Sequence, residues 1–348
     1  AAHQAIAAGC DIDMESQAYI KHLKELVEQN PDLENEINKA VKRILTLKFK
    51  LGLFDDPYKY SSLIREKNVV GSSAHLDLAL EAALKSIVLL KNENQLLPLK
   101  KNQKIAIIGA LANDSDAPLG NWRAHASSNS AINLLDGMRT VFESNFTFAK
   151  GCELSVGSNN FFEELKINNS DYSGFSEAVD LARKSEIVVM ALGEPAYMSG
   201  EGRSRSNIAL PGVQLELLKE VYKVNKNIVL VLMNGRPLTI PWEYKNIPAI
   251  VEAWHCGSSS GEAIAKILIG DYNPSGKLTM SFPRNVGQIP IYYNKKTTGR
   301  PSSGPNQVFY VHHSDVDNDP LFPFGYGLSY TQFEYSEMKI SKNEIYMN

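Results

Sequence analysis

A glutamate near the middle of the chain stands out because glycines flank it on both sides. Glu201 lies between Gly200 and Gly202, in a polar loop that follows a run of apolar residues at 187–192. Glycine adopts positive φ values without strain, so the backbone can turn sharply here and carry the carboxylate away from the protein surface. A projecting carboxyl group suits a general acid and base that acts in an adjoining pocket. An ordinary surface turn, in which Glu201 pairs with an arginine of the same loop, is the alternative.

A second polar loop contains a tryptophan that could bind a ligand. Trp122 follows the apolar run 105–109 and has polar neighbours. An indole ring in such a loop can offer a flat apolar face with an N–H donor at its edge. Sugars bind to such faces through their axial C–H groups, so Trp122 is a candidate sugar-binding residue. A side chain that pins the loop to the core would explain Trp122 equally well.

A third pattern is similar to the nucleophile turn of serine hydrolases. Residues 257–261 read Gly-Ser-Ser-Ser-Gly between an apolar run and a helical pattern, which would make Ser259 the nucleophile. His312 or His313 could act with Asp271 to complete a triad. Small residues in a strand-to-helix turn more often serve close packing or helix capping. A serine hydrolase is therefore the weakest alternative.

The sequence offers few signals for a metal ion or a cofactor. Asp315, Asp317 and Asp319 alternate in a way that could bind a hard cation, but an acidic turn exposed to water has the same pattern. The sequence lacks the dinucleotide fingerprint G-x-G-x-x-G and a Walker A motif. Three cysteines without a C-x-x-C pair argue against a zinc site or a disulfide framework. We therefore expect no cofactor and no metal.

The composition indicates a folded chain of more than one domain, with neither nucleic acid nor membrane as a partner. Its 348 residues exceed one ordinary domain, and 43% of them are apolar, enough to form a buried core. Lys plus Arg (36) nearly balance Asp plus Glu (39), so no broad cationic surface is available for nucleic acid or anionic lipid. The longest apolar runs are far shorter than the roughly 20 residues of a membrane-spanning helix.

From about residue 74 the sequence alternates short apolar runs with amphipathic helical patterns. This alternation predicts an α/β fold, with a mostly parallel sheet flanked by helices on both faces. Ligands of such sheets bind at the carboxyl ends of the strands, so the loops of Glu201 and Trp122 should meet at one edge. The predicted strands are 87–90, 105–109, 187–192, 228–233 and 249–253, and the predicted helices are 74–85, 174–184, 212–224 and 261–269.

Short motifs follow one another in a fixed order along most of the chain. They include AAGCDIDM (residues 7–14), GLFDDPY (52–58), SIVLLKN (86–92), NGRP (234–237), GDYNPSGKL (270–278), SFPR (281–284), TGRP (298–301) and PFGYGLSY (323–330). This series resembles glycoside hydrolase family 3, in particular bacterial β-glucosidases of the periplasmic type. Each motif is short, but their common order makes the resemblance specific.

The resemblance implies a domain organisation. The family combines a (β/α)8 barrel, an α/β sandwich and often a fibronectin-III-like domain. Residues 1–60, with helical patterns at 17–29 and from 31 to 51, resemble the last strand and helices of the barrel, a C-terminal remnant of it. Residues 61–73 predict a linker, residues 74–335 resemble the family 3 α/β sandwich, and residues 336–348 resemble the first strand of the fibronectin-like domain.

The resemblance also implies roles for individual residues in a retaining exo-β-glycosidase that removes terminal β-D-glucosyl residues. Glu201 matches the acid/base glutamate, with Glu194 as the fallback because this loop varies in length. Trp122 and Arg205 are the expected substrate-binding residues, Trp122 beside the leaving group. Arg203 and Arg205 should point away from Glu201 or hold the loop, because a cation in contact with the Glu201 carboxylate would oppose its protonation. The Asp nucleophile of the family lies in a Ser-Asp-Trp-like or Ser-Asp-His-like motif that these 348 residues lack, so we expect this chain alone to be inactive.

The partner and the location follow from the resemblance as well. We expect a glucoside or a β-linked oligosaccharide as substrate, and a homodimer is left open. A periplasmic or secreted location is implied by the family alone, because residues 1–9 lack the basic and apolar segments of a signal peptide. A non-catalytic carbohydrate-binding α/β module is the alternative, and it would not need Glu201.

Overall fold

The structure is a computed structural model that describes residues 1–123, 126–142, 145–157, 160–296, 299–302, 307–341 and 344. The chain divides into two compact units, residues 1–72 and residues 73–348. The first unit has one buried apolar cluster and the second has two, and each unit is described by itself.

The first unit, residues 1–72, consists of helices. The two predicted helices form as α2 and α3, and their apolar faces pack with α1 around Ile6, Leu33 and Ala40. No strand forms in residues 1–72, all of which the structure describes, because a lone strand has no neighbour to pair with. A short helix, α4, forms within the predicted linker. The helices are α1 (Ala2–Ala7), α2 (Ala18–Gln29), α3 (Leu33–Lys50) and α4 (Leu63–Val69).

The second unit is built on a sheet in which, among the described residues, six strands pair in the order β1-β6-β5-β4-β2-β3. All neighbours are parallel except β1, which runs antiparallel to β6. The predicted, mostly parallel sheet is therefore confirmed, with β3 as an additional edge strand. The strands are β1 (Val88–Asn92), β2 (Ile105–Ile108), β3 (Phe146–Ala149), β4 (Ile187–Gly193), β5 (Ile228–Met233) and β6 (Ala249–Glu252).

Helices cover both faces of the sheet, as the continuous apolar runs predict. Successive strand residues point to opposite faces, so Val189 and Ala191 belong to one buried cluster while Val188 and Met190 belong to the other. One cluster includes residues of α5, α6 and α10, and the other includes residues of α7 and α8. The helices are α5 (Ser73–Ser86), α6 (Leu134–Phe142), α7 (Phe175–Arg183), α8 (Gln214–Val224), α9 (Pro241–Asn246) and α10 (Ser260–Ile269).

The segment after α10 is irregular but is tied to the sheet. The Leu328 N–H donates to the Leu89 carbonyl at 2.8 Å, and the Tyr326 hydroxyl donates to the Leu90 carbonyl at 3.1 Å. Residues 336–341 have no strand structure, and residues 342, 343 and 345–348 lie outside the described residues. The domain assignment of this last segment therefore stays a prediction. Among the described residues, none of the helices has both the length and the apolar character needed to cross a membrane.

Candidate active site at the carboxyl edge of the sheet

The loops that follow β2 and β4 meet at the carboxyl edge of the sheet. The two strands are parallel neighbours, with Ile108 opposite Met190, so their carboxyl ends lie side by side. Gly200 in the second loop lies against Asn121 in the first: a Cβ on Gly200 would stand 1.9 Å from Asn121 Nδ2. The structure thus brings together the two loops that contain Trp122 and Glu201.

Glu201 occupies the corner of a tight turn. The Arg203 N–H donates to the Gly200 carbonyl at 3.1 Å, and Gly202 has a φ of 68°, as the third position of such a turn requires. The Glu201 side chain is exposed, and no hydrogen bond or ion pair joins its carboxylate to another described residue. The turn thus leaves the carboxylate accessible, and its catalytic role stays a prediction.

The two arginines near Glu201 bind other groups. Arg203 donates to the carbonyl oxygens of Phe161 (2.5 Å) and Glu163 (3.1 Å). Arg205 donates to the Glu194 carboxylate (2.6 Å) and to the Ala209 carbonyl (3.1 Å). Neither guanidinium is bonded to Glu201, in agreement with the sequence-based expectation. Because Arg205 is already engaged with protein groups, its contact with a substrate stays a prediction.

Glu194, the fallback acid/base, is in the wrong surroundings for proton transfer to a substrate. It directly follows β4 and is 0% exposed. Its carboxylate accepts from Arg205 Nη1 at 2.6 Å, from Arg236 Nε at 3.0 Å and more weakly from the Gly235 N–H at 3.4 Å. Two guanidinium groups and a backbone N–H thus occupy the carboxylate oxygens of Glu194. The structure therefore corrects the fallback: Glu194 is an enclosed partner of arginines, inaccessible to a substrate.

Trp122 is an exposed residue on a loop that its neighbours hold in place. Its side chain is 72% exposed, whereas Asn121 is 8% exposed. Arg123 pairs with Asp116, and its guanidinium lies 4.8 Å from the centre of the Tyr197 ring. These contacts anchor the loop, so the alternative in which Trp122 pins it to the core is wrong. The contact of the exposed indole with a ligand stays a prediction.

A partly buried histidine, whose ring nitrogens are buried, lies against the loops after β2 and β5 and was not identified from the sequence. The ring of His255 lies 3.5 Å from where a Cβ on Gly120 would stand and 3.1 Å from where one on Gly235 would stand. Neither ring nitrogen meets a hydrogen-bond partner in ordinary geometry among the described residues. Burial lowers the pKa of His255, and the negative charge of Glu194 opposes this shift. His255 follows β6, and that position at a strand end is the signal that could have drawn attention to it.

The serine-hydrolase alternative does not match the geometry around Ser259. Ser259 is 3% exposed, and its hydroxyl faces the Leu76 carbonyl at 3.4 Å. None of the described histidines forms a hydrogen bond with that hydroxyl. His312 bonds instead to the Tyr310 carbonyl at 2.8 Å. The small residues here form a tight turn before α10, which is the structural role that the sequence also allowed.

The alternating aspartates do not form a cluster of metal ligands. Asp317 lies 3.5 Å from the guanidinium of Arg284, and the Asp319 carbonyl accepts from Arg284 Nε at 3.0 Å. Across the part of the chain that the structure describes, no three His, Cys, Asp or Glu side chains are close enough together to hold a metal ion. These aspartates are therefore part of a surface turn that an arginine holds.

Comparisons with known proteins agree with the motifs. A family model described as the glycosyl hydrolase family 3 C-terminal domain matches residues 87–330. The periplasmic beta-glucosidase of Salmonella typhimurium is 39% identical over 97% of this chain and 46% of its own length. A beta-xylosidase of Formosa agariphila is 38% identical over 99% of this chain and 47% of its own length. The chain thus spans about half the length of these curated relatives.

The fold agrees with that of a solved relative. The beta-glucosidase of Listeria innocua, in complex with isofagomine, superposes with a TM-score of 0.85 at 37% identity, covering 96% of this chain and 45% of that chain. A mutant of the same protein, in complex with laminaribiose, also gives a TM-score of 0.85. A score of this size indicates that the two proteins share their fold.

Proposed function

The chain belongs to glycoside hydrolase family 3, and on this basis we propose that it supplies the general acid/base of a retaining exo-β-glycosidase. The proposed acid/base is Glu201. The observation that carries the proposal is the exposed position of Glu201 at the corner of a turn on the carboxyl edge of the sheet. The arginines of the same loop are bonded elsewhere, so the carboxyl group is available to exchange a proton.

A retaining glycosidase needs two carboxyl groups about 5–5.5 Å apart, on either side of the glycosidic bond. In the first step one carboxylate attacks the anomeric carbon while the other carboxyl group gives its proton to the departing oxygen. In the second step the group that gave its proton removes a proton from water. This water attacks the anomeric carbon and displaces the sugar from the attacking carboxylate. Glu201 would be the proton donor and acceptor. We assign the attacking Asp to the barrel of the complete protein, outside these 348 residues.

The substrate would be a glucoside or a β-linked oligosaccharide, cleaved at its terminal β-D-glucosyl residue. Trp122 would bind the leaving group through its exposed indole face, close to the Glu201 turn. The names of the relatives include both a beta-glucosidase and a beta-xylosidase, so the choice between hexose and pentose needs a direct assay. The name of the Salmonella relative supports a periplasmic location.

The test replaces Glu201 in the complete protein that contains this chain. Glu201→Ala should lower kcat/KM by about 10²–10⁴ on a glucoside whose leaving group needs protonation, and by much less on a nitrophenyl glucoside. Azide should restore part of the turnover, because a small anion can attack the glycosyl–enzyme bond without a general base. Glu216→Ala, in the first turn of α8, is the matched control and should leave both rates unchanged.

An unchanged rate in Glu201→Ala would exclude this residue from the mechanism. If, in addition, glucose or a disaccharide raised the melting temperature of the chain, a non-catalytic carbohydrate-binding module would be the better description. A second measurement addresses the missing nucleophile: the purified 348-residue chain should not hydrolyse nitrophenyl β-glucoside. Turnover by this chain alone would contradict the assignment of the nucleophile to the barrel.

A further inference from the structure

An arginine and a buried glutamate lie directly beneath the loop that carries Glu201. We propose that Arg236 and Glu194 together fix both ends of this loop and are positioning residues for proton transfer by Glu201. The inference rests on the proposed function of Glu201. It adds two residues that do not contact the substrate and act through the loop.

Arg236 bridges the two sides of the Glu201 turn. Its Nη2 atom donates to the Met198 carbonyl at 2.5 Å, before the turn, and to the Arg203 carbonyl at 2.9 Å, after it. Its Nε atom faces the Glu194 carboxylate at 3.0 Å. One planar guanidinium thus joins both ends of the segment from 198 to 203 to a single carboxylate. The corner of the turn, at Glu201, stays outside this network.

Glu194 connects this arrangement to the sheet. Its backbone N–H donates to the Met233 carbonyl at 2.8 Å, continuing the pairing between β4 and β5. Its carboxylate is fully buried and also binds Arg205, which lies on the far side of the loop. A buried ion pair is costly to break, because the group left behind is charged and has no solvent. The loop is therefore attached to the paired ends of β4 and β5.

The close packing around Arg236 leaves the loop little room to shift. A Cβ on Gly235 would stand 2.1 Å from Ser199 Oγ, so the loop after β5 touches the loop after β4 directly. On the other side, Gly200 touches Asn121. Misplacement of a reacting group by about 1 Å can cost about 10²-fold in rate. Loss of the Arg236 contacts should therefore impair the reaction although Glu201 itself is intact.

The test is Arg236→Lys in the complete protein. Lysine keeps a positive charge near Glu194 but cannot bind two carbonyls and a carboxylate from one planar group. We expect kcat/KM to fall about 10–100-fold for a substrate whose leaving group needs protonation, with little change for nitrophenyl glucoside, whose departure needs no acid. Arg284→Lys replaces an arginine of another surface turn and is the matched control, which should change neither rate.

Hydrogen exchange gives a readout that does not depend on turnover. In Arg236→Lys the amides from 199 to 204, including the Arg203 N–H that closes the turn, should exchange faster, while the amides of β4 and β5 keep their protection. Glu194→Gln is the second variant, in case Arg236→Lys does not fold, because it keeps the shape of the side chain and removes its charge. Glu194→Gln should give the same pattern in the kinetic assay and in hydrogen exchange.

Glu201→Ala, measured alongside, separates the two proposals. The effect of Glu201→Ala on kcat/KM should depend on the leaving group. If it does, but Arg236→Lys lowers kcat/KM equally for both substrates or for neither, the positioning role is wrong and the proposed function stands. If Glu201→Ala has no effect, the proposed function fails, and the positioning role fails with it. Unchanged exchange from 199 to 204 in both variants would contradict the attachment of the loop itself.

Discussion

The amide group of Asn121 lies against the Cα of Gly200, so closely that a Cβ on residue 200 would stand 1.9 Å from Nδ2. Gly200 also has a φ of 118°, which residues with a Cβ rarely adopt. This contact joins the loop of Trp122 to the turn of Glu201. Any side chain at position 200 would have to separate the two loops or displace Asn121.

Gly200→Ala should therefore be more harmful than the same change at Gly202. Gly202 has a φ of 68° but no atom within 4 Å of a Cβ, so Gly202→Ala meets backbone strain alone. We expect Gly200→Ala to lower the free energy of unfolding by about 2–3 kcal/mol and Gly202→Ala by about 1 kcal/mol. Urea unfolding of the 348-residue chain measures both. Adding Asn121→Ala should recover part of the loss in Gly200→Ala, and equal losses for both glycines would contradict the steric explanation.

Trp122→Ala should lower kcat/KM for substrates with large leaving groups. The exposed indole is expected to contact the leaving sugar, and loss of one aromatic contact of about 0.5–1.5 kcal/mol corresponds to a fall of about 2–10-fold in kcat/KM for a disaccharide. Methyl β-glucoside, whose leaving group is small, should be hydrolysed at the original rate. Trp122→Phe should keep part of the activity. An equal effect on both substrates would argue against a leaving-group contact.

The stability of the second unit should depend on pH through Glu243 in α9. This side chain is 2% exposed, and burial raises its pKa from the ordinary value of 4.5 to about 7. Between these values the unfolded chain releases a proton that the folded chain keeps, so the free energy of unfolding should fall as pH rises from about 4.5 to about 7 and then level off. The full shift corresponds to about 3 kcal/mol.

Glu243→Gln removes this contribution and should flatten the pH profile. The difference in the free energy of unfolding between the original chain and the variant should therefore change between pH 5 and pH 7. Urea unfolding at each pH measures it. Glu216→Gln, which removes an exposed carboxylate in the first turn of α8, is the matched control for the loss of one charge. A constant difference in the free energy of unfolding across this pH range would show that Glu243 ionises alike in the folded and the unfolded chain.

The three cysteines should differ sharply in reactivity. Cys10 is exposed, whereas burial raises the pKa of Cys152 to about 11 and that of Cys256 to about 12. Because the thiolate is the reactive form, one thiol should react quickly with a maleimide in the native chain at neutral pH and three after unfolding. Cys10→Ser should abolish the fast phase. Rapid labelling of Cys256 in the native chain would contradict the packing around it.

The main sheet could be predicted from the sequence because its strands are buried on both faces. The run from Ile228 to Met233 is continuously apolar, a pattern that identifies an interior parallel strand. The edge strand β3 was missed because it is only partly buried and contains Thr147 among its apolar residues. The predicted last strand of the barrel does not form in residues 1–72, since a strand needs a partner that this segment does not contain.

The amino-acid sequence was enough to identify the residues that could form a projecting carboxylate and a flat apolar face. The glycines on both sides of Glu201 affect the backbone next to them, and Trp122 is identified by its polar neighbours in the sequence. Both signals are therefore local. The role of Glu194 is not local: its partners Arg205 and Arg236 are 11 and 42 residues away. The order of strands in the sheet brings the ends of β4 and β5 together, and only this order decides that Glu194 is buried between two arginines. Burial and ion pairing depend on which segments become neighbours in space, which is why the tertiary structure alone distinguished the exposed glutamate from the enclosed one.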